Sequence, residues 1–341
     1  MTPAIRRIAL SAALTLAAAG AAAEDPRFFQ IGTGPTAEAL FPLGGLIANG
    51  LSNPPGSRPC DKGGSCGVPG LVAVAKSTAG AVANLDALAA GRLDAALVGT
   101  DAAYEAVRGL GAYKGRPAAG LRAIAMLAPD SVQLVVRRAS GIRGIADLAG
   151  KRVSFGERDS RGVAYGRLLL GAYNLPERRL KLSYLAPRAA ADALAAGTLD
   201  AMLALDGAPA PVVGALARTT AVTVLPLAGP EIDRLRMRHP FLEPAEIAAG
   251  TYEGVAAPIP VLAVGVALLT SAGEDADLVQ AVTRALWQPA TVSLLADNGP
   301  RGKLMQPDAA GLRRLGIRLH PGAAAYYATA AGDEITVTPP R

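Results

Sequence analysis

Cysteine, histidine and aromatic residues are scarce in this chain. Its 341 residues include two cysteines, two histidines and one tryptophan, and aromatic residues make up 4%. A zinc site needs about four ligands, commonly Cys or His, so a metal site is not expected. Few aromatic rings are available to stack on bases, and no run of lysine or arginine is present. Although the net charge is +6, nucleic acid is therefore not an expected partner.

Long apolar runs are missing after the first 23 residues. Hydrophobic residues make up 51% and the mean hydropathy is +0.29, yet a transmembrane helix needs roughly 18 or more consecutive apolar residues. At the N-terminus, Arg6 and Arg7 precede an apolar stretch (8–19) and an A-x-A sequence at 21–23. This order is typical of a cleaved secretory signal peptide. We predict a signal peptide at 1–23 and a periplasmic protein; an N-terminal membrane anchor is the alternative.

The two cysteines, Cys60 and Cys66, flank a short loop with two glycines. Export would place them in an oxidising compartment, where disulfides persist. We predict a Cys60–Cys66 disulfide that closes one surface loop. A redox-active C-x-x-C motif is absent.

One sequence segment occurs twice. DALAAGRLDAAL at 86–97 recurs as DALAAGTLDAML at 192–203. Each copy has the pattern of a helix that ends at a glycine and is followed by a short apolar strand. The spacing between the copies is too long for a solenoid. We predict the same helix–turn–strand unit in each half of the chain; coincidence in an alanine-rich sequence is the alternative.

Apolar strand patterns alternate with helical patterns along the chain, which predicts an α/β fold with mixed, mostly parallel sheets. The predicted strands are 28–31, 71–75, 95–98, 123–127, 132–137, 152–155, 182–185, 201–205, 222–225 and 261–268. The predicted helices are 37–51, 82–89, 163–173, 189–195 and 278–287. Ligands bind such sheets beyond the carboxyl ends of the strands, which directs attention to the loops at 32–36, 76–80, 99–101, 156–162 and 206–209.

Three motifs that resemble enzyme sites lack their required surroundings. GTGPTA at 32–37 resembles a dinucleotide-binding turn, but no acidic residue follows at the position that would hold the ribose. GGSCG at 63–67 resembles a nucleophile elbow, but neither a strand nor a helix flanks it. Glu157 and Asp159 form a charged pair with no histidine close in sequence. We therefore expect no enzyme and no cofactor; an exported hydrolase is the weakest alternative.

An exported α/β protein with polar loops and no catalytic set has the outline of a periplasmic binding protein, and the loops resemble one family of them. IGTG at 31–34 with FPLGG at 41–45 resembles the opening I-G-T-G-x-T-G-G-x-Y-Y-P-L-G of the TAXI family, the substrate-binding subunits of one class of TRAP transporters. STAGAVANL at 77–85 resembles its S-T-G-G-S-V-E-N-L, and LVGTDAAY at 97–104 resembles its V-Q-S-D-V-A-Y. The match continues in order through 141–154, 240–241, 249–252, 320–323 and 326–327.

The resemblance implies a two-lobed fold of periplasmic-binding-protein type II. One lobe would comprise residues 24–129 and 256–341, and the other residues 130–255. A monomer would capture a small organic anion (a dicarboxylate, a keto acid or an acidic amino acid) between the lobes and deliver it to the membrane subunits of a TRAP transporter. A periplasmic sensor that partners a sensor kinase is the alternative.

By position in these motifs, twelve residues from five loops are the expected ligand contacts, with hydroxyls and backbone N–H groups at helix starts binding carboxylates. They are Thr33, Gly34, Pro35, Thr36, Ser77, Thr78, Thr100, Asp101, Ser160, Arg161, Gly162 and Gly207.

Some departures from the family pattern, Leu40-Phe41 in place of Y-Y and Gly99-Thr100 in place of Q-S, change polar groups, and two others concern charge. Ala37-Glu38 stands where the family has G-G, and Arg161 lies in a loop that usually reads G-S-G-T. We expect Arg161 to bind a ligand carboxylate with two hydrogen bonds; an ion pair with Asp159 is the alternative. Glu38 has three interpretations: it faces solvent, repels an anion, or binds an ammonium group.

Overall fold

The computed structural model describes residues 25–307 and 310–333, so the predicted signal peptide lies outside the described residues. Within these ranges, no helix is both long enough and apolar enough to cross a membrane. The strands are β1 (Arg27–Gly32), β2 (Ser52–Asn53), β3 (Val68–Pro69), β4 (Leu71–Lys76), β5 (Ala95–Gly99), β6 (Leu121–Arg137), β7 (Arg152–Ser154), β8 (Lys181–Ser183), β9 (Ala201–Asp206), β10 (Val222–Val224), β11 (Leu242–Ile247) and β12 (Ile259–Ser271). The helices are α1 (Leu40–Leu51), α2 (Ala81–Ala89), α3 (Thr100–Arg108), α4 (Arg161–Ala172), α5 (Pro187–Ala195), α6 (Pro211–Ala217), α7 (Pro230–Arg238), α8 (Ala276–Trp287), α9 (Pro289–Asp297), α10 (Pro300–Lys303), α11 (Ala310–Arg314) and α12 (Pro321–Asp333).

Two long antiparallel strands, β6 and β12, lie at the centre of the main sheet, whose order is β4-β1-β5-β12-β6-β9-β7-β8. Residues 121–127 of β6 and 266–271 of β12 belong to a first half with β5, β1 and β4. Residues 130–137 of β6 and 259–264 of β12 belong to a second half with β9, β7, β8, β10 and β11. Both halves therefore share the same two continuous strands.

The predicted repeat is confirmed, and it is part of a longer duplication. The order β1-α1-β4-α2-β5 of the first half matches β7-α4-β8-α5-β9 of the second, and in each half the outer three strands pair in parallel. The aspartates at equivalent positions of the two copies make equivalent hydrogen bonds. Asp94 accepts a hydrogen bond from the backbone N–H of Gln30 in β1 at 2.6 Å, and Asp200 accepts one from Arg152 in β7 at 2.9 Å. Each aspartate thus joins the start of one strand to its neighbour.

The core is built from aliphatic side chains, in keeping with the low aromatic content. On α1, Leu43, Ile47 and Leu51 recur every four residues and form one buried cluster with Phe29 and Ile31 of β1. This spacing places the three leucine and isoleucine side chains on one face of the helix. Burying each such side chain contributes about 1.5–3 kcal/mol relative to exposure, so the stripe anchors α1 to the sheet.

The α/β class is confirmed, and three differences from the predicted elements have physical reasons. Residues 123–127 and 132–137 belong to one strand, β6, because β12 pairs with both segments. The unpredicted strand β11 contains Pro244 and pairs only with β12; proline is tolerated in such an edge strand. Parallel pairing is confined to the outer strands, since the central strands run antiparallel.

The predicted disulfide between Cys60 and Cys66 is present. Its loop is held to the α8–α9 junction, where the side-chain amide of Gln288 donates a hydrogen bond to the carbonyl of Cys66 at 2.6 Å.

Candidate functional site

A cavity of about 280 Å³ lies between the two halves of the sheet. The turn before α1 (36–40) and Pro42 line it from the first half. From the second half, the loop after β7 and the start of α4 line it (155–157 and 160–162), together with 203–206 of β9 and the starts of α5 and α6. Asp130 of β6 also lines the cavity, at the point where the two halves meet.

The duplication explains why these segments meet. The turn before α1 follows β1, and the loop before α4 follows β7, so the two are equivalent in the two repeats. Each lies at the carboxyl end of a parallel strand, where α/β sheets bind ligands. Ser160 is the N-cap of α4, and its hydroxyl accepts a hydrogen bond from the N–H of Val163 at 3.4 Å. The positive end of the α4 dipole therefore lies at the cavity.

Arg161 connects the two halves of the molecule. Its Nη1 donates a hydrogen bond to Oδ2 of Asp130 at 2.6 Å, and its Nη2 lies 3.8 Å from Oδ1 of Asp101 in α3. Nε and Nη2 are buried and have no hydrogen-bond partner among the described residues. Burial by itself lowers the pKa of Arg161, but the charges of Asp101 and Asp130 raise it above its usual value. The guanidinium therefore stays charged, and two of its nitrogens make no hydrogen bond to a described residue.

Gly99 makes this arrangement possible because its backbone lies directly against the guanidinium. A Cβ at this position would lie 2.5 Å from Nη2 of Arg161 and would also overlap the carboxylate of Asp101. Any larger residue at position 99 would have to displace both of these side chains.

Carboxylates outnumber cations around the cavity. Glu38, Asp130, Glu157 and Asp206 line it, whereas Arg161 is the single lysine or arginine among the described lining residues. The pKa of Glu38 is raised, first by burial and also by the charges of Asp130 and Glu157, while Arg161 partly offsets the effect. Within the described part of the chain, no group of three or more His, Cys, Asp or Glu residues is arranged to hold a metal ion.

The rest of the cavity wall is mostly apolar. Phe155 and Leu203 are buried. A largely apolar wall with a few polar groups is usual for small-molecule sites, because the apolar surface supplies affinity and the polar groups set orientation. The other apolar residues of the wall are Ala37, Ala39, Leu40, Pro42, Pro187, Ala204, Leu205, Pro211 and Val212.

Four of the twelve predicted contacts line the cavity, namely Thr36, Ser160, Arg161 and Gly162. The other eight are not among its lining residues: Thr33, Gly34, Pro35, Ser77, Thr78, Thr100, Asp101 and Gly207.

Two of these eight residues have hydroxyl groups that donate hydrogen bonds within the protein. The hydroxyl of Thr33 donates to the carbonyl of Lys76 at 2.9 Å, and that of Ser77 donates to the carbonyl of Gly34 at 3.1 Å. These bonds tie the loops after β1 and β4 to each other. Asp101 lies near the cavity through Arg161, which it faces from the first half.

The sequence did not indicate that Asp130 and the apolar wall belong to the site, and it left three interpretations of Glu38 open. Asp130 occupies what reads as a gap between two predicted strands, so nothing marks it as a partner of Arg161. The wall residue Phe155 lies at the end of a predicted strand (152–155), and nothing in the sequence marks it as part of a cavity. The predicted alternative partner of Arg161, Asp159, is replaced by Asp130 and Asp101.

Solved structures of other proteins are similar to this one. PhnD1 from Prochlorococcus marinus (MIT 9301), in complex with methylphosphonate, is 12% identical over 86% of this chain and 98% of its own, with a TM-score of 0.50. MatC (Rpa3494) from Rhodopseudomonas palustris, with bound malate, is 15% identical over 91% of this chain and 96% of its own, with a TM-score of 0.49. The periplasmic aliphatic sulphonate binding protein SsuA from Escherichia coli is 16% identical over 90% and 89%, with a TM-score of 0.46.

At such identities the likeness concerns the fold, and the family is established by sequence. The sequence profile of the NMT1-like family matches residues 31–330, which is most of the chain. The protein therefore belongs to the NMT1-like family and has the α/β fold of periplasmic binding proteins.

Proposed function

We propose that this protein is a periplasmic solute-binding protein that captures a small carboxylate-bearing solute in the cavity between the two halves of its sheet. The observation that carries the proposal is Arg161, a cation at that cavity whose side chain is 17% exposed and of which two nitrogens lack hydrogen-bond partners among the described residues. A carboxylate satisfies both nitrogens, because its two oxygens match the geometry of a guanidinium.

The start of α4 supports the same ligand chemistry. Ser160, Arg161 and Gly162 line the cavity at the N-terminus of a 12-residue helix. Backbone N–H groups and the helix dipole stabilise an anionic group at such an end. Thr36 adds a hydroxyl on the opposite side, from the first half. Dicarboxylates, keto acids and acidic amino acids are the solute classes that the family resemblance suggests.

The two halves of the sheet are close to the proposed lobes, which comprise residues 24–129 with 256–341 and residues 130–255; residues 259–264 of β12 differ, because they pair within the second half. β6 and β12 are the strands that pass between them. Register irregularities between Val264 and Val266 interrupt the ladder near this junction. The ligand would bind both lobes and hold them together, and the closed form would be the one that a membrane partner recognises.

A TRAP transporter of the TAXI class is the proposed membrane partner, and its support is the ordered set of motifs from 31–34 to 326–327. A sensor kinase is the second candidate partner. Co-purification of the exported protein with each membrane partner, with and without ligand, would distinguish these two roles.

The experiment that tests the function is a thermal-shift screen followed by calorimetry on the mature chain. The screen contains dicarboxylates, keto acids and both acidic and apolar amino acids. A ligand at 100 times its Kd should add about 2.7 kcal/mol to stability. Thr36→Val should weaken binding without lowering the stability of the free protein, because no described residue makes a hydrogen bond to this hydroxyl. If none of these solutes shifts the melting temperature, the proposed function is wrong.

A further inference from the structure

The charges around the cavity do not balance for a purely anionic ligand. Of the four carboxylates that line it, Asp130 is paired with Arg161. Asp101 faces the same guanidinium from the other side. Arg161 is therefore already offset by two negative charges before a ligand binds. Glu38 and Glu157 add further negative charge on the cavity side, so a dicarboxylate would enter a site with a surplus of like charge.

Of these carboxylates, Glu38 gives the most information about the charge of the ligand. It lies in the turn before α1, lines the cavity and is only partly exposed. Neither a hydrogen bond nor an ion pair joins its carboxylate to any described residue. Holding a carboxylate out of water costs free energy unless a countercharge or hydrogen bonds compensate it. A positively charged group on the ligand would supply that compensation.

Two further observations narrow the chemical class of the ligand. Arg161 has two nitrogens without hydrogen-bond partners in the described structure, which a carboxylate would satisfy. The cavity wall to which Arg161 and Glu38 both belong is largely apolar, with Phe155, Leu203 and Leu205 among its residues. A ligand that matches all three features has a carboxylate, a positively charged group and an apolar body.

We infer that the ligand is a zwitterionic α-amino acid with an apolar side chain, and that Glu38 determines this specificity by binding its ammonium group. The inference rests on the proposed function and names its substrate class. Arg161 binds the carboxylate, Glu38 faces the ammonium group, and the apolar wall contacts the side chain. Glu157, which is exposed, extends the negative potential that favours a cation. A keto acid of the same shape lacks the ammonium group and leaves Glu38 without a countercharge.

The test compares three probes that differ in charge: L-leucine, its keto acid 4-methyl-2-oxopentanoate, and succinate. Calorimetry measures their affinities for the mature wild-type chain, for Glu38→Gln, and for the control Glu253→Gln, which changes an exposed glutamate outside the cavity. We expect the wild type to bind L-leucine at least tenfold more tightly than the keto acid or succinate. Glu38→Gln should lose about tenfold in L-leucine affinity and gain affinity for the keto acid, while Glu253→Gln should behave as the wild type.

The outcomes separate the two proposals. If the wild type binds the keto acid or succinate as tightly as L-leucine, the inference about Glu38 is overturned and the proposed function stands. The same holds if Glu38→Gln, shown by circular dichroism to be folded, binds all three probes as the wild type does. If neither these probes nor any solute in the wider screen binds, both proposals are overturned. The wild-type comparison needs no variant, so a poorly folded Glu38→Gln leaves the test intact.

Discussion

Replacing Arg161 by methionine should destabilise the free protein strongly, because it removes the hydrogen-bonded countercharge of a buried carboxylate. The side chain of Asp130 is 1% exposed and lies 2.6 Å from Nη1 of Arg161. Removing one partner of a buried ion pair typically costs about 3–5 kcal/mol. The chain contains a matched control in the pair Arg167–Glu177, which has the same 2.6 Å separation but side chains that are 56% and 37% exposed. Exposed pairs contribute about 0–1 kcal/mol, so Arg167→Met should cost little.

Urea denaturation of the ligand-free mature chain, followed by far-UV circular dichroism at neutral pH, measures both effects. Asp130→Asn in the Arg161→Met background should recover part of the loss, since the amide removes the negative charge that no longer has its guanidinium partner. The two changes should therefore be non-additive by at least about 1 kcal/mol, within the usual range for contacting residues. Arg161→Lys keeps the positive charge and is the variant to measure if Arg161→Met does not fold. A cost for Arg161→Met no larger than that for Arg167→Met, or additive changes, would refute the reasoning.

Three further predictions concern other parts of the structure. Gly99→Ala should lower the free energy of unfolding by about 1–3 kcal/mol in the same urea assay, because the new Cβ overlaps the guanidinium and carboxylate beside it; an unchanged midpoint would contradict the close approach. Replacing Cys60 and Cys66 by serine should cost about 2 kcal/mol, the loop-closure value for so short a loop, and should leave ligand affinity in calorimetry unchanged, since neither residue lines the cavity. The hydrogen bond from Arg152 lowers the pKa of Asp200 to about 2 from an ordinary 3.8, so its contribution is present above pH 3.8 and is lost as the pH falls toward 2. An acid titration of Asp200→Asn should lack that part of the stability loss, and identical acid profiles for variant and wild type would argue against the ion pair.

Local patterns in the sequence carry most of the fold. The correctly predicted strands are short apolar segments whose composition is sufficient by itself to predict a strand. The repeated DALAAG segment predicts a unit that occurs in both halves. Gly91 and Gly197 have φ of 64° and 73°, which is the left-handed conformation that favours glycine at the end of a helix. β11 escapes prediction because a proline and two glutamates in six residues look like a loop, and only pairing with β12 makes the segment a strand.

The candidate site is predictable only in part. Loops at the carboxyl ends of strands are correctly expected to border a cavity, and Thr36 and the start of α4 do line it. The loop after β4 contributes no lining residue, and the hydroxyl of Ser77 in that loop donates a hydrogen bond to the carbonyl of Gly34. Where each loop lies relative to the cavity depends on the distances between loops, which the order of residues does not reveal.

The sequence by itself determined the α/β class, the internal duplication and the disulfide, because each of these depends on residues that are close along the chain. Tertiary structure alone decided which charges meet. Asp101, Asp130 and Arg161 come from α3, β6 and α4, and they converge because β6 and β12 run through both halves of the sheet and bring the two repeats face to face. The same convergence places Glu38 at the cavity. Its surroundings there are formed by residues far away in the chain, namely Asp130, Glu157 and Arg161.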